Sequence, residues 1–330
     1  MQSRNAHRPA PVGPLVIRAA LALSLLLATS AFAQTAAVES WPPTPGTGTY
    51  STITAIEYAE IGSTPFLLDL RIPDGNGPWP VILYLHSGAW ITGDRTGGQA
   101  IRQAARGYAV ASIDYPLAPE FVWPSQIEAC KAAVRWLRAN ASRYQLDPDR
   151  IGVFGTSAGG HLAAVLGTSG DVASLEGAAL GNPQFSSRVK AVIDLYGPTD
   201  LLKMDEQKLP CYGSISANAS YMPPSLLIGC PIQECQAKTM TASPMTYISP
   251  DDPPFLIMQG MLDCLVPWQQ STELYDALRA DGNDAQLYLL PTAQHADAQF
   301  SDQKHEQIIS DFLDKNLRGT VGGPRRRAVR

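Results

Sequence analysis

Short runs of apolar and β-branched residues recur along most of the chain, at 52–58, 66–71, 80–85, 108–113, 150–154, 188–194, 255–259 and 285–290. Runs of this length with few internal charges read as strands. Between the later runs, apolar positions repeat at helical spacing over 97–106, 125–140, 158–168, 267–280 and 301–316. Ser125 can cap the second of these helices, Pro267 suits the first turn of the fourth, and Gly282 follows it as a stop. The alternation predicts an α/β fold with a mostly parallel central sheet of about eight strands and helices on both faces. The first two strands have no helix between them and so form an antiparallel edge. No repeat or linker divides residues 51–318, which read as a single domain. Residues 200–250, rich in Pro, form a loop excursion over one end of the sheet, where loops commonly shape a substrate pocket.

The first 33 residues break this pattern. Arg4, Arg8 and Arg18 lead into the apolar run Ala19 to Ala28 and then Ala31-Phe32-Ala33, which is a secretory signal with cleavage after Ala33. The run is too short for a comfortable membrane span, so no stable anchor is expected after cleavage and the mature chain is secreted or periplasmic. Cleavage removes three positive charges and no negative ones from a chain of formal net charge −5, leaving −8. An acidic mature chain argues against nucleic acid as a partner. Residues 34–50 form an irregular Pro/Thr/Gly leader, and 319–330 a disordered basic tail carrying Arg325, Arg326, Arg327 and Arg330.

Export permits disulfides. Cys130 shares a helical stripe with Ile127, Val134 and Leu137 and reads as a buried free thiol. Cys211, Cys230, Cys235 and Cys264 form an even set with three possible pairings, of which Cys230 with Cys235 and Cys211 with Cys264 is favoured. A zinc site lacks a second close cysteine pair or a neighbouring His, so no metal is expected.

The chemistry centres on Gly155-Thr156-Ser157-Ala158-Gly159, which joins the apolar run 150–154 to the helical run from His161. This is G-x-S-x-G in the strand, sharp turn and helix setting that it requires. A serine projected from so tight a turn needs tiny neighbours two residues before and after, which Gly155 and Gly159 supply. Ser157 is therefore the candidate nucleophile. Acyl transfer also needs donors for a developing oxyanion. The backbone N–H of Ala158 is one source, and the turn His86-Ser87-Gly88-Ala89-Trp90 after a buried strand is another.

Five stretches carry a family resemblance: His86–Trp90, Asp114-Tyr115-Pro116-Leu117-Ala118-Pro119-Glu120, Gly155–His161, Tyr196-Gly197-Pro198-Thr199-Asp200, and Asp252–Leu256 leading to Asp263. On these the chain resembles the hormone-sensitive-lipase-like bacterial carboxylesterases of the α/β-hydrolase fold, and most closely their compact branch similar to bacterial feruloyl esterases. The resemblance implies that Gly88 and Ala89 join Ala158 in an oxyanion hole. Ser87 and Ala89 depart from the usual glycines of that turn, and Ser87 would be uncomfortable wherever positive φ is needed.

A serine hydroxyl needs an imidazole base oriented by a carboxylate, in the chain order Ser, acid, His for this fold. His295 follows a strand in a loop and is the candidate base. His161 lies on the helix after Ser157 and reads as packing, His86 as turn-holding, and His305 as a solvated helical residue. Asp263 follows the run 255–259 and is favoured by the resemblance as the acid, ahead of Asp200, which can equally cap Leu201-Leu202, and Asp297, which is too near His295 in sequence. Trp90, Tyr115, Tyr196, Tyr221 and Trp268 sit in loop or element-end positions that could line a pocket or equally serve core or rim packing. These readings imply a secreted serine carboxylesterase acting on feruloyl, acetyl or other small acyl or aromatic esters, free or polymer-borne, with no cofactor. An exported serine peptidase and a catalytically silent binding protein on the same scaffold are the alternatives.

Overall fold

A computed structural model describes residues 48–170 and 172–319. The expected signal, residues 34–47 of the leader and residues 320–330 of the tail lie outside the described residues. Eight strands form one sheet: β1 Tyr50–Ile61, β2 Thr64–Pro73, β3 Trp79–Leu85, β4 Ala109–Ile113, β5 Leu146–Thr156, β6 Val192–Leu195, β7 Phe255–Gly260 and β8 Ala285–Leu290. Their order is β1-β2-β4-β3-β5-β6-β7-β8. β2 runs antiparallel to both β1 and β4, and every other pairing is parallel. The carboxyl ends of β3, β5, β6, β7 and β8 therefore share one edge of the sheet, where ligands bind in open α/β folds.

Strand alternation explains why both faces are covered. On β3, Val81, Leu83 and Leu85 enter one core with residues of the helices α1 (Ser125–Ala139), α2 (Ala158–Thr168) and α3 (Trp268–Ala280). Ile82 and Tyr84 point the other way, into a core with the 3-10 helix Gln99–Arg106 and α4 (Gln303–Leu313). Each fully buried Leu or Ile contributes on the order of 2 kcal/mol, against about 0–1 kcal/mol for a near-surface ion pair such as Arg150–Asp147, so apolar burial holds the sheet between its helices. α2 is buried at every residue, as the central helix behind β5 must be.

The differences from the sequence reading are local. The segment expected as a helix at 97–106 winds as a 3-10 helix from Gln99 to Arg106. The sixth strand is only Val192–Leu195 rather than 188–194, although Lys190 N and the Ala191 carbonyl already bond to β5 at Ile151 and Val153. Ser125 does not cap α1: it is the helix's first residue, and its N–H closes a turn onto the Val122 carbonyl. Pro267 stands at the N-cap of α3 rather than within its first turn. Gly282, at φ 90°, ends α3 as expected. The helix expected over 301–316 starts at Gln303 and widens into a π turn, Asp314–Arg318. No described helix is long and apolar enough to cross a membrane.

Candidate active site

β5 delivers Ser157 to the carboxyl edge, where the chain reverses into α2 with Ser157 at φ 54°, ψ −119°. A conformation this strained persists only where the surroundings impose it, at a cost of roughly 1–3 kcal/mol. Here the Ser157 N–H donates to the Leu195 carbonyl at 2.8 Å, and its carbonyl accepts from His161 N at 3.0 Å. The flanking glycines are a steric necessity. A side-chain carbon on Gly155 would lie 1.9 Å from the Gly159 carbonyl oxygen, and one on Gly159 would lie 2.0 Å from that of Leu85.

Ser157 Oγ lies 2.9 Å from His295 Nε2, and His295 Nδ1 lies 2.6 Å from Asp263 Oδ2. The carboxylate fixes the Nδ1–H tautomer and leaves Nε2 to accept from the serine hydroxyl. The Asp263 side chain is fully buried, and His295 is only slightly exposed. Asp263 is held on every side: Oδ1 accepts from Leu265 N at 2.8 Å and Val266 N at 2.9 Å, and Oδ2 also accepts from Gln259 Nε2 at 3.0 Å. Gln259 was not singled out in the sequence. Its signal was there, as the lone amide in the otherwise apolar strand Phe255–Gly260. The acid loop and the His295 loop are joined by Leu262 N donating to the Ala293 carbonyl at 3.0 Å. Asp200 instead accepts from Leu202 N, and Asp297 from Gln299 N, so both cap short turns.

Across from the elbow, the turn after β3 places its positive φ angles at Gly88 (126°), Ala89 (53°) and Trp90 (61°). Ser87 is spared, contrary to the strain expected there, and its hydroxyl instead binds Thr156. The backbone N–H groups of Gly88, Ala89 and Ala158 donate to no acceptor among the described residues. His86 holds the turn as expected: Nδ1–H donates to the Ser87 carbonyl at 2.7 Å, and the ring stacks on Tyr115 at 4.1 Å.

Two of the expected pocket aromatics are framework instead. Trp90 is 3% exposed and donates to His161 Nδ1 at 3.2 Å, while Tyr115 is 1% exposed and donates to the His86 carbonyl at 2.9 Å. Their polar ends find partners only inside the protein, which draws the rings under the turn. His161 completes that layer, donating from Nε2 to the Ala242 carbonyl at 2.7 Å, and burial lowers its pKa to about 4, so it stays neutral. Tyr196 meets the His295 ring edge-on at 4.9 Å, Trp268 is half-buried, and Tyr221 is 66% exposed. His305 is buried rather than solvated, with Nδ1 2.8 Å from Asp302 Oδ1. Below the elbow lies a second lone polar residue in an apolar strand, Asp194. Its Oδ1 accepts from Gly197 N at 2.9 Å, its Oδ2 has no partner, and burial raises its pKa to about 7.

Cys211 is bonded to Cys264, beside Asp263, and Cys230 to Cys235, while Cys130 is free and buried. No group of three or more His, Cys, Asp or Glu side chains that could hold a metal ion occurs among the described residues.

A sheet of this order, with a serine at a strand-to-helix elbow hydrogen-bonded to a His–Asp pair from later loops, defines an α/β-hydrolase. Within that class the chain belongs to the BD-FAE family, whose model matches residues 68–278. It is 32% identical over 248 residues to the probable carboxylic ester hydrolase LipM of Mycobacterium tuberculosis, covering 73% of this chain and 55% of LipM. It is also 32% identical over 232 residues to esterase LipC of the same organism, covering 66% of this chain and 53% of LipC. The chain thus spans about half the length of the curated relatives it matches. Among solved structures, a truncated form of carbohydrate esterase from gut microbiota superposes with a TM-score of 0.71 at 28% identity, covering 83% of this chain and 99% of the other.

Proposed function

We propose that this chain is a carboxylic ester hydrolase with Ser157 as nucleophile, His295 as base and Asp263 as the acid that orients it. The observation that carries the reading is the continuous hydrogen-bonded chain from Ser157 Oγ through His295 to the buried Asp263 carboxylate. As Ser157 Oγ attacks the ester carbonyl, its proton passes to His295 Nε2, and the imidazolium is stabilised by Asp263. Negative charge on the carbonyl oxygen is met by the N–H groups of Gly88, Ala89 and Ala158, each worth about 3–4 kcal/mol in reactions of this kind. His295 returns the proton to the leaving alkoxide, which departs as the alcohol. Water then attacks the acyl-enzyme as His295 takes its proton, and His295 returns that proton to Ser157 Oγ as the acid leaves.

The substrates in this reading are small acyl and aromatic esters, feruloyl or acetyl among them, free or borne on a polymer. Leu262 and Leu265, on either side of Asp263, are 48% and 56% exposed, an apolar rim suited to the uncharged part of an ester. The likeness to a carbohydrate esterase supports an acyl group borne on a carbohydrate. Secretion is supported by the N-terminal charge and apolar pattern and by the two disulfides. Methyl ferulate, acetylated xylan, p-nitrophenyl acetate and a peptide p-nitroanilide, each assayed with wild type and Ser157→Ala, test the proposal. Ester turnover that vanishes with Ser157→Ala is expected; amide turnover without ester turnover would replace the esterase by a peptidase.

A further inference from the structure

β3 and β5 are paired through Leu85 and Gly155, the last rung of their ladder. Beyond it the strands part, β3 into the turn that carries Gly88 and Ala89, and β5 into the elbow that carries Ser157. Side-chain hydroxyls take over where the backbone pairing stops. Thr156 Oγ1 lies 2.7 Å from Ser87 Oγ and 3.1 Å from the Tyr84 hydroxyl, and Ser87 Oγ donates to the Thr156 carbonyl at 3.1 Å. One arrangement of protons satisfies all three contacts: Tyr84 donates to Thr156 Oγ1, Thr156 donates to Ser87 Oγ, and Ser87 donates to the Thr156 carbonyl. Each hydroxyl then donates once, and the chain is directional. Tyr84 is buried on the β3 side, so the chain is anchored in the core at one end and ends on the peptide unit that precedes the nucleophile.

We infer that Ser87 and Thr156 are positioning residues that fix the separation between the oxyanion donors of the 88–89 turn and Ser157. The inference rests on the esterase reading. Both segments depend on such a tie, since Ser157, Ala89 and Trp90 all hold positive φ and would relax if released. Donors placed for a transition-state charge lose value steeply with small displacements, whereas ground-state binding depends little on them. Loss of the tie should therefore fall on kcat rather than on KM.

The test is steady-state kinetics on p-nitrophenyl acetate for Ser87→Ala, Thr156→Val, the double variant and Thr156→Ser, with unfolding midpoints measured alongside. Each single variant is expected to lower kcat about tenfold with KM within about twofold, and to slow fluorophosphonate labelling in parallel. The double variant should lose little more than the worse single, because one bridge is broken in each case, and Thr156→Ser should restore activity. Wild-type kcat in both single variants, or a multiplicative loss in the double, would overturn the inference. Ser87→Ala, at the half-buried turn, decides the matter if Thr156→Val does not fold. A wild-type protein without any ester turnover would instead sink the esterase reading, and this inference with it.

Discussion

The two ends of the parallel strands differ in what they do with their polar groups. At the amino-terminal ends of β5, β6 and β7 there is a cavity of about 460 Å3 lined by Arg138, Arg188, Lys190, Asp149 and Asp251. It is charged, yet its two arginines and Asp251 are turned on the protein itself. Arg138 donates to the carbonyls of Pro148, Ser186 and Arg188, and Arg188 pairs with Asp251. At the carboxyl ends the backbone is strained: Ala89, Trp90, Ser157, Tyr196 and Ala296 all hold positive φ there. The N–H groups of Gly88, Ala89 and Ala158 have no acceptor among the described residues, and a serine, an imidazole and a carboxylate line up within hydrogen-bonding distance. The charged cavity and the strained, donor-bearing end are thus different places, and the proposed chemistry belongs to the second.

The sharpest way to break this contrast is at the acid. Asp263→Asn keeps the shape of the loop but reverses the polarity at His295 Nδ1, so kcat should fall by about 10⁴-fold with the fold intact. Activity within tenfold of wild type in a stopped ester assay would remove Asp263 from its role. Next is the disulfide beside it. Cys211–Cys264 closes 53 residues and Cys230–Cys235 only 5, so on a chain-entropy account their loss costs about 4 and about 2 kcal/mol. Chemical denaturation of Cys264→Ser and Cys230→Ser should show that order, and Cys264→Ser alone should also lower kcat, because it loosens the Asp263 loop.

A subtler effect concerns Asp194, under the elbow. Its folded pKa is raised to about 7, so the folded protein keeps a proton that the unfolded chain releases near pH 4. Its stabilisation is present below about pH 4 and is lost as pH rises toward 7. Asp194→Asn should therefore gain stability relative to wild type between pH 4 and 7, and the two curves should run parallel above that. A constant difference across the range, measured by thermal unfolding, would show that Asp194 does not titrate there. The smallest effect belongs to the far end: Lys190→Ala should leave kcat and KM on every ester within about twofold of wild type, since the cavity there takes no part.

Much of this arrangement was legible in the residues. Ser157 stood out because a nucleophile elbow demands glycines at fixed spacing, and His295 because only a loop after a late strand can reach it. The mostly parallel sheet with its antiparallel edge followed from the alternation of β and α segments, whereas the order in which the strands pair is set by tertiary geometry. What escaped were contacts set by tertiary geometry. Ser87 looked like a misfit in a turn that needs positive φ, but the turn shifts that demand by one residue and leaves Ser87 free to bind Thr156. Trp90 and Tyr115 looked like pocket walls because they stand beside the turn, and only the fold shows His161 and the His86 carbonyl drawing them inward. Gln259 and Asp194 carried a readable signal, a lone polar side chain in a buried apolar strand, whose partners the sequence could not supply.

The account stands most directly on Ser157, and covalent trapping tests it. After reaction with a fluorophosphonate, peptide mapping by mass spectrometry should find one adduct, on the peptide bearing Ser157, appearing as ester turnover disappears and absent from Ser157→Ala. An adduct on another residue, or full ester turnover in a protein that the reagent leaves unlabelled, would contradict it.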